Sequence, residues 1–176
     1  MNDLASIFAQ ELEAVGGVVH RVANRDEAAG IVRDLLTERG AQSVVRTPRF
    51  DLDLGDNFDA LYIGGENGLD RDEQRRLVFA ADAGLTTVDW AVADTGSLVL
   101  LAGAENERSV SLLPPIHIAL LYEEHIRPDL GDLFELINDP PSALTLITGP
   151  SRTGDIELKL TVGVHGPGEL HVVLLA

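Results

Sequence analysis

Along the first half of the chain, apolar positions switch between helical spacing and short continuous runs, and glycines punctuate the switches. Leu4, Ile7, Phe8, Leu12 and Val15 recur at helical spacing and stop at Gly16-Gly17. A β-branched run, Val18 to Val22, reads as a strand. Asn24 with Glu27 three residues later resembles a capping box. It opens a helix that puts Ala28, Ile31, Val32, Leu35 and Leu36 on one side and ends at Gly40. Ser43–Arg46 and Ala60–Ile63 read as short strands, the second closed by Gly64-Gly65. A further helix begins at Asp70 and runs to about Asp82, with Asp72 and Glu73 in its first turn, where the helix dipole favours acids. This β-α alternation predicts an α/β layer architecture with a largely parallel sheet.

The second half has a different texture. Thr86–Asp94 and Ser97–Leu101 are apolar runs joined by Thr95-Gly96, which predicts an antiparallel hairpin inserted in the sheet. Ile116–Tyr122 is continuously apolar, as a buried strand should be. Leu130, Leu133, Phe134 and Ile137 mark a helix from about Asp129, ended by Asp139-Pro140-Pro141. Ala143–Thr148 and His171–Leu175 complete the predicted strands. No repeat and no low-complexity linker divides the chain, so residues 1–176 read as one domain.

Composition narrows the function classes. Thirteen basic residues against 29 acids give a net charge of −16, which disfavours phosphate-backbone binding, and an aromatic content of 5% argues against base-stacking platforms. Nucleic acid is therefore not an expected partner. The absence of cysteine excludes a disulfide framework and an iron–sulfur cluster held by this chain, though not by a partner. Met1 to Gln10 carries no basic cluster, and no apolar run approaches the ~18–20 residues that span a bilayer. The expectation is a soluble cytoplasmic protein that engages no membrane.

Four segments could carry chemistry. At the hairpin tip, Asp94 is either an ordinary turn residue or a carboxylate presented with the hydroxyls of Thr95 and Ser97. Arg108 and Ser109 could grip an anion, since the planar guanidinium donates two parallel hydrogen bonds to carboxylate or phosphate. Downstream of them, Pro114-Pro115 pins the chain into extended geometry before His117, which is either a core histidine or a ligand-facing one. The segment Thr148 to Glu157 follows a strand directly and has the composition of an anion-binding loop: Gly149 permits close approach, Ser151 and Thr153 offer hydroxyls, and Arg152 offers charge. A structural pairing of Arg152 with Asp155 or Glu157 is the alternative. Finally, His165 in a glycine-rich turn is either a plain turn histidine or a general acid or base. No metal site is predicted, because His165 and His171 lack a helical ligand spacing and no H-E-x-x-H occurs.

Taken together, these motifs resemble the LUD-domain proteins of the lactate utilization protein C type. The resemblance runs from Gly84-Leu85-Thr86 through Ala93-Asp94-Thr95-Gly96-Ser97, Ser111-Leu112-Leu113-Pro114-Pro115-Ile116-His117 and Gly149-Pro150-Ser151-Arg152-Thr153-Gly154 to Gly163-Val164-His165-Gly166-Pro167. Asp94 stands where Glu is frequent, and Gly154 where Ala is common. The resemblance implies an α/β fold with a Rossmann-like, mostly parallel sheet and helices on both faces, similar to ribose-5-phosphate isomerase and the CoA transferases. It also implies action beside iron–sulfur partner proteins in oxidising L-lactate to pyruvate.

The leading expectation is an accessory or substrate-handling component of that system. It would bind a small carboxylate or phosphate at Gly149, Ser151, Arg152 and Thr153, with Thr95, Ser97, Arg108, Ser109 and His117 as further ligand contacts and Asp94, Glu157 and His165 as catalytic candidates. No cofactor is expected in this chain; the iron–sulfur clusters belong to the partners. Two rivals are a stand-alone isomerase or acyl-transferase, in which Asp94 or Glu157 takes a proton or attacks a carbonyl, and a pure interaction module.

Overall fold

The computed structural model describes residues 3–65, 68–103, 107–137, 141–154, 160–162 and 165–176. In chain order the elements are α1 (Leu4–Ala14), β1 (Val18–Val22), α2 (Arg25–Glu38), β2 (Ser43–Arg46), β3 (Asp59–Tyr62), α3 (Arg71–Ala80), β4 (Ala83–Thr87), β5 (Trp90–Val92), β6 (Ser97–Leu101), α4 (Ser109–Leu112), β7 (Ile116–Tyr122), β8 (Ile126–Arg127), α5 (Leu130–Leu136), β9 (Leu144–Ile147), β10 (Arg152–Gly154), β11 (Leu160–Val162) and β12 (Glu169–Leu175).

The helices start where side chains can satisfy their first amides. Asp3, Asn24, Asp70 and Asp129 each accept from a backbone N–H in the first turn of α1, α2, α3 and α5. At α2, Glu27 reaches back to the Ala23 N–H at 2.9 Å, completing the box expected from Asn24 and Glu27. Both α1 and α2 stop on a left-handed glycine. Gly16 (φ 92°) and Gly40 (φ 65°) turn the chain so that the following amides reach back to Leu12 and Leu36 carbonyls.

Six strands form a wholly parallel sheet in the order β1-β12-β7-β4-β2-β3. Alternation along the central strands sends side chains to two cores. Ile118, Leu120, Val173 and Leu85 pack under Val32, Leu35 and Leu36 of α2. On the other face, Ala119, Leu121, Val172 and Leu174 meet Phe8 and Leu12 of α1 together with Ala91, Leu98 and Leu100 of a second sheet. That sheet has the order β8-β5-β6-β9, and α5 covers its outer side through Leu133 against Val92 and Val99. Val78 of α3 and Val110 of α4 cover Val45 beside it. The mixed α/β class, the parallel sheet and the helices on both faces are as the sequence predicts.

Three expectations are corrected. The run Thr86–Asp94 is not one strand: it breaks at Val88-Asp89, leaving β4 in the parallel sheet and β5 in the second one. The reason is polar, because Asp89 anchors the crossing. Its carboxylate pairs with Arg49 and accepts the Leu101 N–H at 2.7 Å. The hairpin β5–β6 therefore belongs to a separate sheet and is no insertion in the parallel one. Likewise β9 runs antiparallel to β6, so the segment after Thr148 does not leave the carboxyl edge of a parallel sheet. Part of that segment, Arg152–Gly154, is itself a strand paired with Leu160–Val162.

Candidate functional site

A cavity of about 210 Å³ opens where β7 and β12 begin and β9 ends. Pro115 fixes this corner: its carbonyl accepts the N–H groups of Gly168 and Glu169, which locks the turn before β12 beside the start of β7. The Ser151 N–H donates to the Pro167 carbonyl at 2.8 Å, tying the 149–151 segment to the same turn. Gly149 adopts φ 83°, and an added Cβ there would come within 2.8 Å of the Val15 carbonyl, so only glycine fits this approach to α1.

His117 is a buried polar group of the cavity wall, at 1% exposure. It lies on the face of β7 that carries Ala119 and Leu121, and its Nε2 meets the Thr86 hydroxyl of neighbouring β4 at 2.8 Å. The Nδ1 is buried with no hydrogen-bond partner among the described residues. Burial alone pushes the imidazole pKa down to about 3, so the ring is neutral at pH 7. When the Thr86 hydroxyl donates to Nε2, Nδ1 carries the proton and is an unspent donor; when Thr86 accepts, Nδ1 is an unspent acceptor. His117 is thus both things the sequence left open, a core residue and a wall of the cavity.

The opposite wall depends on α4. A Cβ at Gly84, which pairs in register with His117, would overlap the Val110 carbonyl, so the glycine is what lets this single turn rest on β4. That contact carries buried Ser111 to the cavity, with its hydroxyl donating to the Arg108 carbonyl at 3.0 Å. On the β9 side, the Thr148 hydroxyl meets Ser97 Oγ at 2.6 Å, and Ser97 also donates to Thr95 Oγ1 at 2.8 Å. A string of hydroxyls therefore runs from the hairpin tip to the cavity wall. Exposed His165 sits on the lining with Gly149 and Ser151.

The structure does not gather all the expected residues here. Exposed Asp94 lies in a 3-10 turn (Ala93–Thr95) whose N–H donates to Pro128, and it is not part of the lining. Arg152 is exposed and outside it too. Its guanidinium lies against Gly16, where a Cβ would overlap it, at the carboxyl end of α1 and hence at the negative end of that helix dipole. The expected pocket uniting Asp94, Arg152 and His165 is therefore replaced by one uniting His117, Ser151 and His165. Arg108 and Ser109 line a separate groove on the other side of α4. Thr153 belongs to β10 with its side chain outside the described set, and Glu157 lies outside the described residues.

Sequence reasoning did not pick out Thr86, Ser111 or Thr148 as site residues. A polar residue inside an apolar strand, two positions from the register partner of His117, was the available signal for Thr86. A second histidine pair lies on the far face of β12: His20 Nε2 and His171 Nδ1 are 3.2 Å apart, and His171 Nε2 faces Glu169, which Arg39 also holds. Burial and the neighbouring His171 lower the His20 pKa.

Comparison with known proteins places this geometry in a family. The family model of the LUD domain matches residues 5–175. A lactate utilization protein C from Halalkalibacterium halodurans is 34% identical over 154 residues, covering 81% of this chain and 66% of that protein. The protein of the same name from Bacillus subtilis is 34% identical over 119 residues, covering 64% of this chain and 47% of that one. The chain thus spans between about half and two thirds of these relatives' length. A crystal structure of a DUF162 family protein from Deinococcus radiodurans shares the fold, with a TM-score of 0.71 at 24% identity, covering 98% of this chain and 96% of that one.

Proposed function

Since the chain belongs to the LUD-domain family, we propose that it is a substrate-handling component of an L-lactate utilization system, holding a small carboxylate in the His117 cavity. The relatives named lactate utilization protein C support the pathway, and the unspent Nδ1 of a neutral, buried histidine supports the ligand. A hydroxy acid or keto acid of a few carbons suits the volume of about 210 Å³. In this reading the Thr86 hydroxyl donates to Nε2, and Nδ1–H then donates to the ligand. The hydroxyl of Ser151 and the imidazole of His165 complete the polar contacts to the carboxylate, and the Thr148 oxygen, whose proton goes to Ser97, accepts from the hydroxyl of a hydroxy acid. A neutral donor in a low-dielectric wall orients an anion without the desolvation cost of burying a second charge.

Conversion of lactate to pyruvate releases two electrons and two protons. Residues 1–176 contain no cysteine to hold a thiolate-ligated cluster, and the likeness to lactate utilization proteins supports an iron–sulfur partner protein as the electron acceptor. This chain's share is to bind, orient and shield the substrate.

Calorimetric titration of the purified chain with L-lactate, D-lactate and pyruvate tests the reading. L-lactate or pyruvate is expected to bind, with the affinity falling in His117→Gln. No heat from either, or equal affinity in the variant, would overturn it. Co-purification of an iron–sulfur protein with the tagged chain, read by electron paramagnetic resonance, tests the partner.

A further inference from the structure

Most arginines of this chain are spoken for. Arg21, Arg25, Arg39 and Arg49 hold carboxylates, Arg33, Arg46 and Arg76 donate to carbonyls, and Arg127 donates to carbonyls and lies over Trp90. Arg71, Arg75 and Arg108 are different. None of their three guanidiniums has a hydrogen bond or ion pair among the described residues, all three residues are exposed, and all three line one groove of about 900 Å³. Arg71 and Arg75 stand one turn apart on the same side of α3, and Arg108 comes from the entry to α4.

In a chain of net charge −16, three guanidiniums that are unpaired among the described residues and line one groove call for an explanation. Among the described residues of the lining, the three arginines face two acids, Asp72 and Glu107. Glu107 is partly committed as well, accepting the Ser109 N–H at 3.3 Å. Unpaired guanidiniums lining one groove repel, and a multivalent anion removes that repulsion while offering each planar fork a pair of oxygens. The groove also has an apolar rim: Leu112 and Leu113 are 37% and 41% exposed and belong to its lining. Its volume falls in the range of small-molecule sites.

We propose that this groove is a second binding site, for a small molecule with at least two phosphate or carboxylate groups and an apolar part that seats on Leu112 and Leu113. It is separate from the His117 cavity but shares a wall with it, since Leu112 lines both. One turn of helix thus carries Ser111 to the first site and Leu112 to the second. This inference does not rest on the lactate reading, because its evidence lies wholly on the other side of α4.

The test is titration of the full chain with pyrophosphate and, separately, citrate, which distinguish phosphate from carboxylate as the preferred group. At least one is expected to bind, more weakly as salt is raised, and each of Arg71→Gln, Arg75→Gln and Arg108→Gln is expected to weaken binding about tenfold. All three positions are exposed, so the variants keep the fold, and Arg21→Gln serves as a charge-matched control with unchanged affinity. Binding of neither probe overturns the proposal. So does a loss that is equal in Arg21→Gln, or affinity for a polyglutamate peptide alone, which would make the groove a protein-docking face. None of these outcomes touches the lactate titration, so the two readings fail separately.

Discussion

The neutral, buried His117 makes a quantitative claim on stability. In the unfolded chain a histidine takes up a proton near pH 6.5, whereas in the folded protein burial holds that step down to about 3. Between those values the unfolded state binds a proton that the native state refuses, so stability is full above pH 6.5 and falls as the solution is acidified through that window. The separation of 3.5 units corresponds to about 5 kcal/mol once both steps are passed, and to about 2 kcal/mol already lost at pH 5. Carboxylates and the depressed His20 titrate in the same range, so the wild-type curve alone is not diagnostic. The informative quantity is the difference between wild type and His117→Gln, whose amide can still bond Thr86 but cannot titrate. Urea unfolding at pH 8, 7, 6 and 5, followed by circular dichroism, should show the wild type losing about 2 kcal/mol more than the variant over this range. Parallel curves would refute the claim that His117 is sealed from solvent, and with it the reading of Nδ1 as an unspent group in a low-dielectric wall.

Two further outcomes follow from the site's construction. Gly84→Ala should cost about 1–3 kcal/mol by forcing the Val110 carbonyl off β4, and it should weaken ligand binding in the His117 cavity by displacing Ser111; thermal denaturation and calorimetry read the two effects, and a fully stable, binding-competent variant would contradict the packing. Arg152→Ala should lose no more than about 0.3–1 kcal/mol from the carboxyl end of α1 and leave lactate and pyruvate affinity unchanged, whereas abolished binding would return Arg152 to the ligand's surroundings.

Local chemistry in the sequence was readable where structure is locally determined. The cap at Asn24, the helix starts at Asp70 and Asp129 and the strand Ile116–Tyr122 emerge where expected, because each rests on residues within a turn of one another or on an unbroken apolar run. Partner choice between strands is not local. Nothing near Trp90 or Leu144 announces that they join a second sheet, and the break at Asp89 depends on Arg49, forty positions away. The site follows the same division. His117, Ser151 and His165 stand out by residue type, but whether Arg152 or Arg108 faces open volume is decided by what packs on α1 and α4. Gly16 and Gly84 settle that in three dimensions, through packing that their place in the sequence does not announce.

The position of β12 has a consequence for how the protein is made. This strand, Glu169–Leu175, lies between β1 and β7, so the parallel sheet cannot knit together until residue 175 has emerged from the ribosome. Until then β1 lacks its sheet neighbour and the floor of the His117 cavity lacks Leu170. Closure of the parallel sheet therefore waits on the synthesis of β12, and a nascent chain stalled short of it presents two open strand edges to chaperones and proteases.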